Sequence, residues 1–165
     1  AQEFIWSYDS SEYAIRDGNQ VKIFKNFKER KSFKPSFGTE NIYGGQLLGV
    51  RSVNGLAFYD WETTDLIRRI EITPKLVFWS ENGDQVCIAC EDSFYILKYN
   101  TEAYPKAREN PELMTEDGIE DAFLVLNEIS ESVKTGIWAG DCFIYTNSLN
   151  RLNYYVGGEI CTIAH

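Results

Sequence analysis

The residues of this chain that could do chemistry begin with a C-x-x-C pair, Cys87 and Cys90, a spacing that suits a metal ion or a thiol–disulfide couple. The pair lies in "QVCIACEDS", which reads as a β-strand. Residues three apart on a strand point to opposite faces, so the two thiols cannot converge on one ion. Cys142 and Cys161 stand apart, there is no second C-x-x-C, and a chain with a substantial core does not need disulfides. Four reduced cysteines and no metal are expected. Carboxylates cluster in "TEDGIED", but on a helix Asp117, Glu120 and Asp121 form an exposed face, and their spacing does not make a calcium loop. The single histidine, His165, is the last residue, which leaves Cys–His or Ser–His catalysis without a framed partner. No nucleophile elbow, phosphate loop or dinucleotide fingerprint is present, and Gly44-Gly45 precedes a strand and not a helix. The residues therefore imply no catalytic site, no metal site and no cofactor, and they leave any binding residues unassigned.

The elements that would position such groups read as strands. The chain has 165 residues, of which 44% are apolar and 15% aromatic, and many aromatics sit beside β-branched residues. No run is long and apolar enough for a membrane helix, which needs about 20 residues. No secretory signal is visible. The opening "AQEFIWS" already reads as strand and lacks a methionine, so a segment of a longer polypeptide is expected. A formal net charge of −9 argues against nucleic acid, since phosphates require a basic surface. Charge is uneven: six bases and one acid lie between Lys22 and Lys34, whereas nine acids and two bases lie between Thr101 and Glu131. In "KIFKNFKERKSFK", strand alternation places Ile23, Phe27 and Phe33 inward and the lysines outward. The same lysines could meet an acidic partner or anionic lipid.

The strongest internal signal is a repeat. "WSYDSSEYAI" from Trp6 returns as "WSENGDQVCI" from Trp79, 73 residues later, and "VKIFK" from Val21 returns as "FYILK" from Phe94 at the same offset. A further unit lies between them, with "QLLGV" and "GLAFYDW", where Tyr59-Asp60 resembles a WD dipeptide. A last unit holds "TGIWAG", "CFIYT" and "LNYYV". Tight turns separate the strands at Asp17-Gly18-Asn19, Asn54-Gly55, Asn82-Gly83 and Gly157-Gly158. Strands grouped at this spacing imply an all-β, WD-repeat-like β-propeller of about four blades, an incomplete ring, with one helical insertion. The blades fall at roughly 1–37, 38–72, 73–100 and 132–165, and the insertion at roughly 101–131. Within the insertion Ile119, Ala122, Phe123, Leu126, Ile129 and Val133 recur at helical spacing after Thr115, a fair N-cap. Glu116 and Asp117 would then sit in the first turn of a four-turn amphipathic helix. An open ring leaves apolar terminal faces, so the piece alone is expected to be marginally stable.

Several strings carry a more specific resemblance. "DSSEYAIR", "LLGVRSVNGLAFYDW", "LIRRIEI", "TEDGIEDAF" and "GDCFIYT" resemble the beta-prime subunits of coatomer, the COPI vesicle coat, over essentially the whole chain. The likeness is to their second propeller, and it is weakest in "NTEAYPKARENPELM". It implies a cytoplasmic scaffold, peripheral on Golgi membranes and COPI vesicles, and not an enzyme. The implied partners are other coatomer subunits, the alpha subunit first, with an Arf-family GTPase and dilysine cargo engaged through the parent protein. Dilysine recognition in that family is attributed chiefly to the first propeller, so the resemblance transfers no cargo-binding residues. Two other classes stay open on the residues alone. One is a peptide- or ubiquitin-reading module, which would show saturable binding of peptide tails. The other is an enzyme on a propeller scaffold.

Overall fold

The computed structural model describes residues 4–164; the strand reading of residues 1–3 and the position of His165 lie outside the described residues. The chain divides into two compact units, one of residues 1–73 with 103–120 and one of residues 74–102 with 121–165.

In the first unit, β1 (Phe4–Trp6), β2 (Glu12–Asp17), β3 (Gln20–Lys25) and β4 (Lys28–Phe33) form an antiparallel sheet in chain order. A second sheet runs through β5 (Asn41–Tyr43), β6 (Leu48–Ser52), β7 (Gly55–Tyr59) and β8 (Leu66–Ile70). Alternation sends Ala14, Val21 and Ile23 to one face of the first sheet, where they pack with Ile42, Leu48, Val50, Ala57 and Tyr59 of the second. A large aliphatic or aromatic side chain, fully buried in this way, contributes about 1.5–3 kcal/mol.

In the second unit, β9 (Leu76–Trp79), β10 (Gln85–Ala89) and β11 (Phe94–Tyr99) pair antiparallel. Four more strands, β15 (Val133–Ala139), β16 (Cys142–Asn147), β17 (Leu152–Val156) and β18 (Glu159–Ala164), pair in sequence order. The core between these sheets holds Cys87, Ala89, Phe94 and Ile96 against Trp138, Phe143, Tyr145 and Tyr155. Gly136 makes this packing possible, because a Cβ there would lie 2.5 Å from the Phe143 ring.

The 73-residue repeat persists down to single hydrogen bonds. The Ser7 hydroxyl donates to Asp9 Oδ1 (3.0 Å) and accepts the Glu12 N–H (3.1 Å). The Ser80 hydroxyl donates to Asn82 Oδ1 (2.9 Å) and accepts the Gln85 N–H (3.0 Å). The residue next in each turn, Ser10 or Gly83, takes positive φ. Serine and Asx side chains close these turns locally, which is why the sequence can vary elsewhere while the strand–turn–strand geometry returns.

Two expectations need correction. No α-helix follows Thr115 among the described residues; the only helical turn there is a three-residue 3-10 turn, Glu120–Ala122. The helix of this region is α1 (Ala103–Glu109), seven residues long, in which Pro105 sits in the first turn and Ala103, Tyr104 and Ala107 are buried. Beyond it, β12 (Met114–Thr115) and β13 (Gly118–Ile119) form a hairpin, and β14 (Phe123–Ile129) pairs with β11 as the outer strand of the third sheet. Gly118 has φ +96°, which no helix accommodates, and "FLVL" is a strand-forming run whose spacing mimicked helical periodicity. Thr115 is accordingly no N-cap: its hydroxyl donates to the Gly118 carbonyl (2.7 Å) across the hairpin. The second correction concerns Phe27, which is not inward but 85% exposed. Asn26 and Phe27 both have positive φ and make the two-residue turn between β3 and β4. Ile23 is buried and Phe33 packs against the core, as alternation requires.

Candidate functional site

The loop Asp60–Asp65, between β7 and β8, gathers the densest polar contacts of the first unit. Asp60 Oδ2 accepts the N–H groups of Glu62 (3.0 Å) and Thr63 (2.9 Å), closing the turn, and Thr64 takes φ +61°. Trp61 is buried and its indole N–H donates to the Gly45 carbonyl at 2.9 Å. From the first sheet, Arg30 donates to the carbonyls of Trp61 (2.5 Å) and Glu62 (3.1 Å), and Lys31 Nζ donates to that of Thr63 (2.6 Å). From α1, the Tyr104 hydroxyl donates to Asp65 Oδ2 at 2.5 Å and lies 2.6 Å from the Thr63 hydroxyl. Burial first, then the Asp65 carboxylate, pushes the Tyr104 phenol up to about 12. These contacts tie the loop to the first sheet and to α1 and make it a joint between elements.

Replacing Tyr104 with Phe removes the bridge to a charged acceptor and is expected to cost about 1.5–3 kcal/mol, read as a lower urea midpoint at unchanged slope. The native phenol also links stability to pH. The folded chain holds the proton up to about 12, against an ordinary value of 10.0, so this contribution is complete below pH 10.0 and is lost as pH rises through about 12. The Tyr104→Phe variant is expected to lack that part of the alkaline dependence.

Arg69 centres a second cluster. Its guanidinium donates to Asp117 Oδ1 (2.8 Å), the Asn54 carbonyl (2.6 Å) and Glu71 Oε1 (3.3 Å), and it lies 5.4 Å from the Phe37 ring centroid. The Arg69 hydrogen bond holds the Asp117 carboxyl below its ordinary range. The carboxylates expected on a helix face thus serve different ends: Asp117 pins the β12–β13 hairpin to β8, while Glu120 and Asp121 are exposed. A cavity of about 560 Å³ beside Arg69 is lined by Val53, Thr73 and Glu116 among others.

The cysteines do not converge. Cys87 is buried on β10 with its thiol pushed well above the ordinary value by burial, and Cys90, beyond the strand end, is raised to about 11 by burial and the nearby Glu128. All four are free thiols. Among the described residues, no group of three or more His, Cys, Asp or Glu could hold a metal ion. A thiol-reactive dye at mildly alkaline pH is expected to label exposed Cys161 first and Cys87 only on unfolding, because reaction requires an accessible thiolate. Mass mapping of the labelled peptides checks the order.

What the surface offers instead is apolar area. On the first sheet, opposite the core face, Phe4, Trp6, Tyr13 and Phe24 line up: Trp6 and Tyr13 ring centroids are 5.3 Å apart, and Tyr13 and Phe24 stack at 5.0 Å. Phe4, Trp6 and Tyr8 are exposed. Alternation in β1 and β2 turns this row outward by the same rule that turns Ile5 and Ala14 toward the core, yet the sequence reading assigned none of these aromatics to a surface.

Four antiparallel sheets, recurring Ser/Asx turns and an aspartate-closed loop after an aromatic strand define a WD-type β-propeller segment. Among solved structures, Hsv2 of Kluyveromyces lactis aligns with a TM-score of 0.63 at 14% identity, covering 100% of this chain and 51% of that one. A chain of the mitotic checkpoint complex aligns at 0.61 and 12% identity, covering 94% and 48%. These likenesses establish the fold. The chain belongs to the COPA/B second beta-propeller family, whose model matches residues 1–165. It is 74% identical over 166 residues to coatomer subunit beta' of Rattus norvegicus and 73% to that of Homo sapiens, covering 100% of this chain and 18% of each relative. A probable coatomer subunit beta' of Caenorhabditis elegans is 56% identical, covering 99% of this chain and 16% of the relative. The chain therefore spans about a fifth of the length of these relatives. No helix of the described residues is long and apolar enough to cross a membrane.

Proposed function

We propose that this chain is a scaffold segment of a vesicle-coat subunit, each of its four sheets serving as one blade. In this reading it supports coat assembly in Golgi-to-ER and intra-Golgi transport and performs no catalysis. The observation that carries the proposal is the 73–74% identity to coatomer subunit beta' across the whole chain. Its partners are other coatomer subunits, the alpha subunit first; an Arf-family GTPase and dilysine cargo are engaged through the parent protein. It resides in the cytoplasm and, through the coat, on Golgi membranes and COPI vesicles. The polar groups bound up in structural joints and the exposed aromatic row suit an element that works by contact.

The test is affinity purification from cytosol with the parent polypeptide as bait, with and without this segment, followed by mass spectrometry. Recovery of other coatomer subunits only when the segment is present is the expected result. Equal recovery without it reduces the segment to a spacer, and absence of coatomer from both baits overturns the reading.

A further inference from the structure

The outer strands differ in how their edges are protected, and β14 stands out. An outer strand offers unpaired backbone groups to any extended chain, and folds blunt such edges with charge or cover. β4 carries Lys28, Arg30 and Lys31, and β8 is covered by the chain's own β13, with the Arg69 N–H donating to the Asp117 carbonyl at 2.8 Å. β18 sets Cys161 and Thr162 between its isoleucines. β14 pairs with β11 on one side only among the described residues, and presents three consecutive apolar side chains, Leu124 (62% exposed), Val125 (55%) and Leu126 (40%). The register shifts opposite Ile96 and Leu97, a bulge that turns Leu126 over a cavity of about 660 Å³. A neighbouring cavity of about 540 Å³ is lined by Leu124 and shares Asp84 and Lys98 with the first. Their linings together hold four acidic residues, Asp84, Glu102, Asp121 and Asp141, and one basic residue, Lys98.

Leucines on an open edge beside an acidic groove fit one kind of occupant. We infer that β14 and its groove dock an extended segment of a partner protein that carries apolar side chains and lysine or arginine together on one face, at every second residue. The apolar residues lie on Leu124 and Leu126, and the cations face the four carboxylates. The covered edge of β8 shows the same device within this chain, a short strand laid on an outer strand and held by an Arg–Asp pair. The inference does not depend on which assembly the parent belongs to.

The experiment uses the full-length parent polypeptide and two fluorescent synthetic peptides about ten residues long, each with serine at alternate positions; the other positions carry valine and lysine in turn in one peptide and valine and glutamate in the other. The lysine peptide is expected to bind saturably, more weakly as salt rises, and to slow amide exchange across β14; the glutamate peptide is not. Leu124→Ser with Leu126→Ser, which removes the apolar contact without adding charge, is expected to weaken binding about tenfold or more. Both leucines are exposed, so an unchanged melting curve verifies the fold. Asp84→Asn with Asp121→Asn, also at exposed positions, is expected to flatten the salt dependence. Equal binding of the two peptides overturns the inference, as does full affinity in the leucine variant, which would mean charge attraction without a docking strand.

Discussion

Phe143→Ala is expected to lower the unfolding free energy by about 3–5 kcal/mol, a large share of the roughly 5–15 kcal/mol that holds a domain together. The ring is fully buried and contacts Phe78, Trp138, Phe94 and Tyr145 at centroid distances of 5.6, 5.2, 6.0 and 5.6 Å. Its position is fixed from below by Gly136, whose missing Cβ is what lets it lie over β15. Neighbours held from several sides cannot collapse into the void, so the cavity cost adds to the lost transfer energy. Urea denaturation followed by tryptophan fluorescence reads the effect, with Trp138 as reporter. Phe143→Leu, which refills most of the volume, is expected to recover more than half of the loss. A Phe143→Ala loss below about 1 kcal/mol would mean that this core is looser than its packing implies.

Gly118→Ala separates the helix expected from the sequence from the hairpin found in the structure, because the two give opposite signs. In a helix the change would stabilise by about 1 kcal/mol. In the hairpin, Gly118 has φ +96° and a Cβ would sit 2.4 Å from the Ile67 carbonyl oxygen and 2.8 Å from Arg68 Cα, both backbone atoms of β8. Backbone strain of about 1–3 kcal/mol and a comparable overpacking cost act together, so a loss above about 2 kcal/mol is expected. Asp117 would lift away from Arg69 with the hairpin. Thermal or urea unfolding gives the sign directly, and a stabilised variant would restore the helix.

Much of the fold was legible because its signals are local. The Ser/Asx turns at Ser7 and Ser80 are closed by side chains a few residues away, so the repeat in the letters became a repeat in the hydrogen bonds. Asp60, read as part of a WD-like dipeptide, closes its loop as an aspartate should. The region after residue 100 was misread for the opposite reason. Its strand β14 is paired with β11, about 30 residues earlier in the chain, and its hairpin with β8, a partner farther still; neither contact writes itself into local spacing. "IEDAFLVLNEI" satisfies a helical period and a strand period alike, and Gly118 was the letter that argued for the second. Phe27 was misplaced because alternation was carried through a turn, and Asn26-Phe27 is an unusual two-residue turn without glycine. The docking surface proposed on β14 was not legible in the sequence. Nothing in Leu124, Val125 and Leu126 distinguishes an exposed edge from a buried strand until the sheet order is known.

The most direct measurement of the central claim, that this chain works by contact within a coat, is lysine cross-linking of the purified assembly with mapping by mass spectrometry. Lys25, Lys28, Lys34, Lys98, Lys106 and Lys134 are exposed and sample several faces. The expected result is that a subset of them joins reproducibly to other coatomer subunits while the rest give only links within the parent polypeptide. Links confined to the parent from all six would contradict the account and leave this segment a propeller that touches nothing but its own chain.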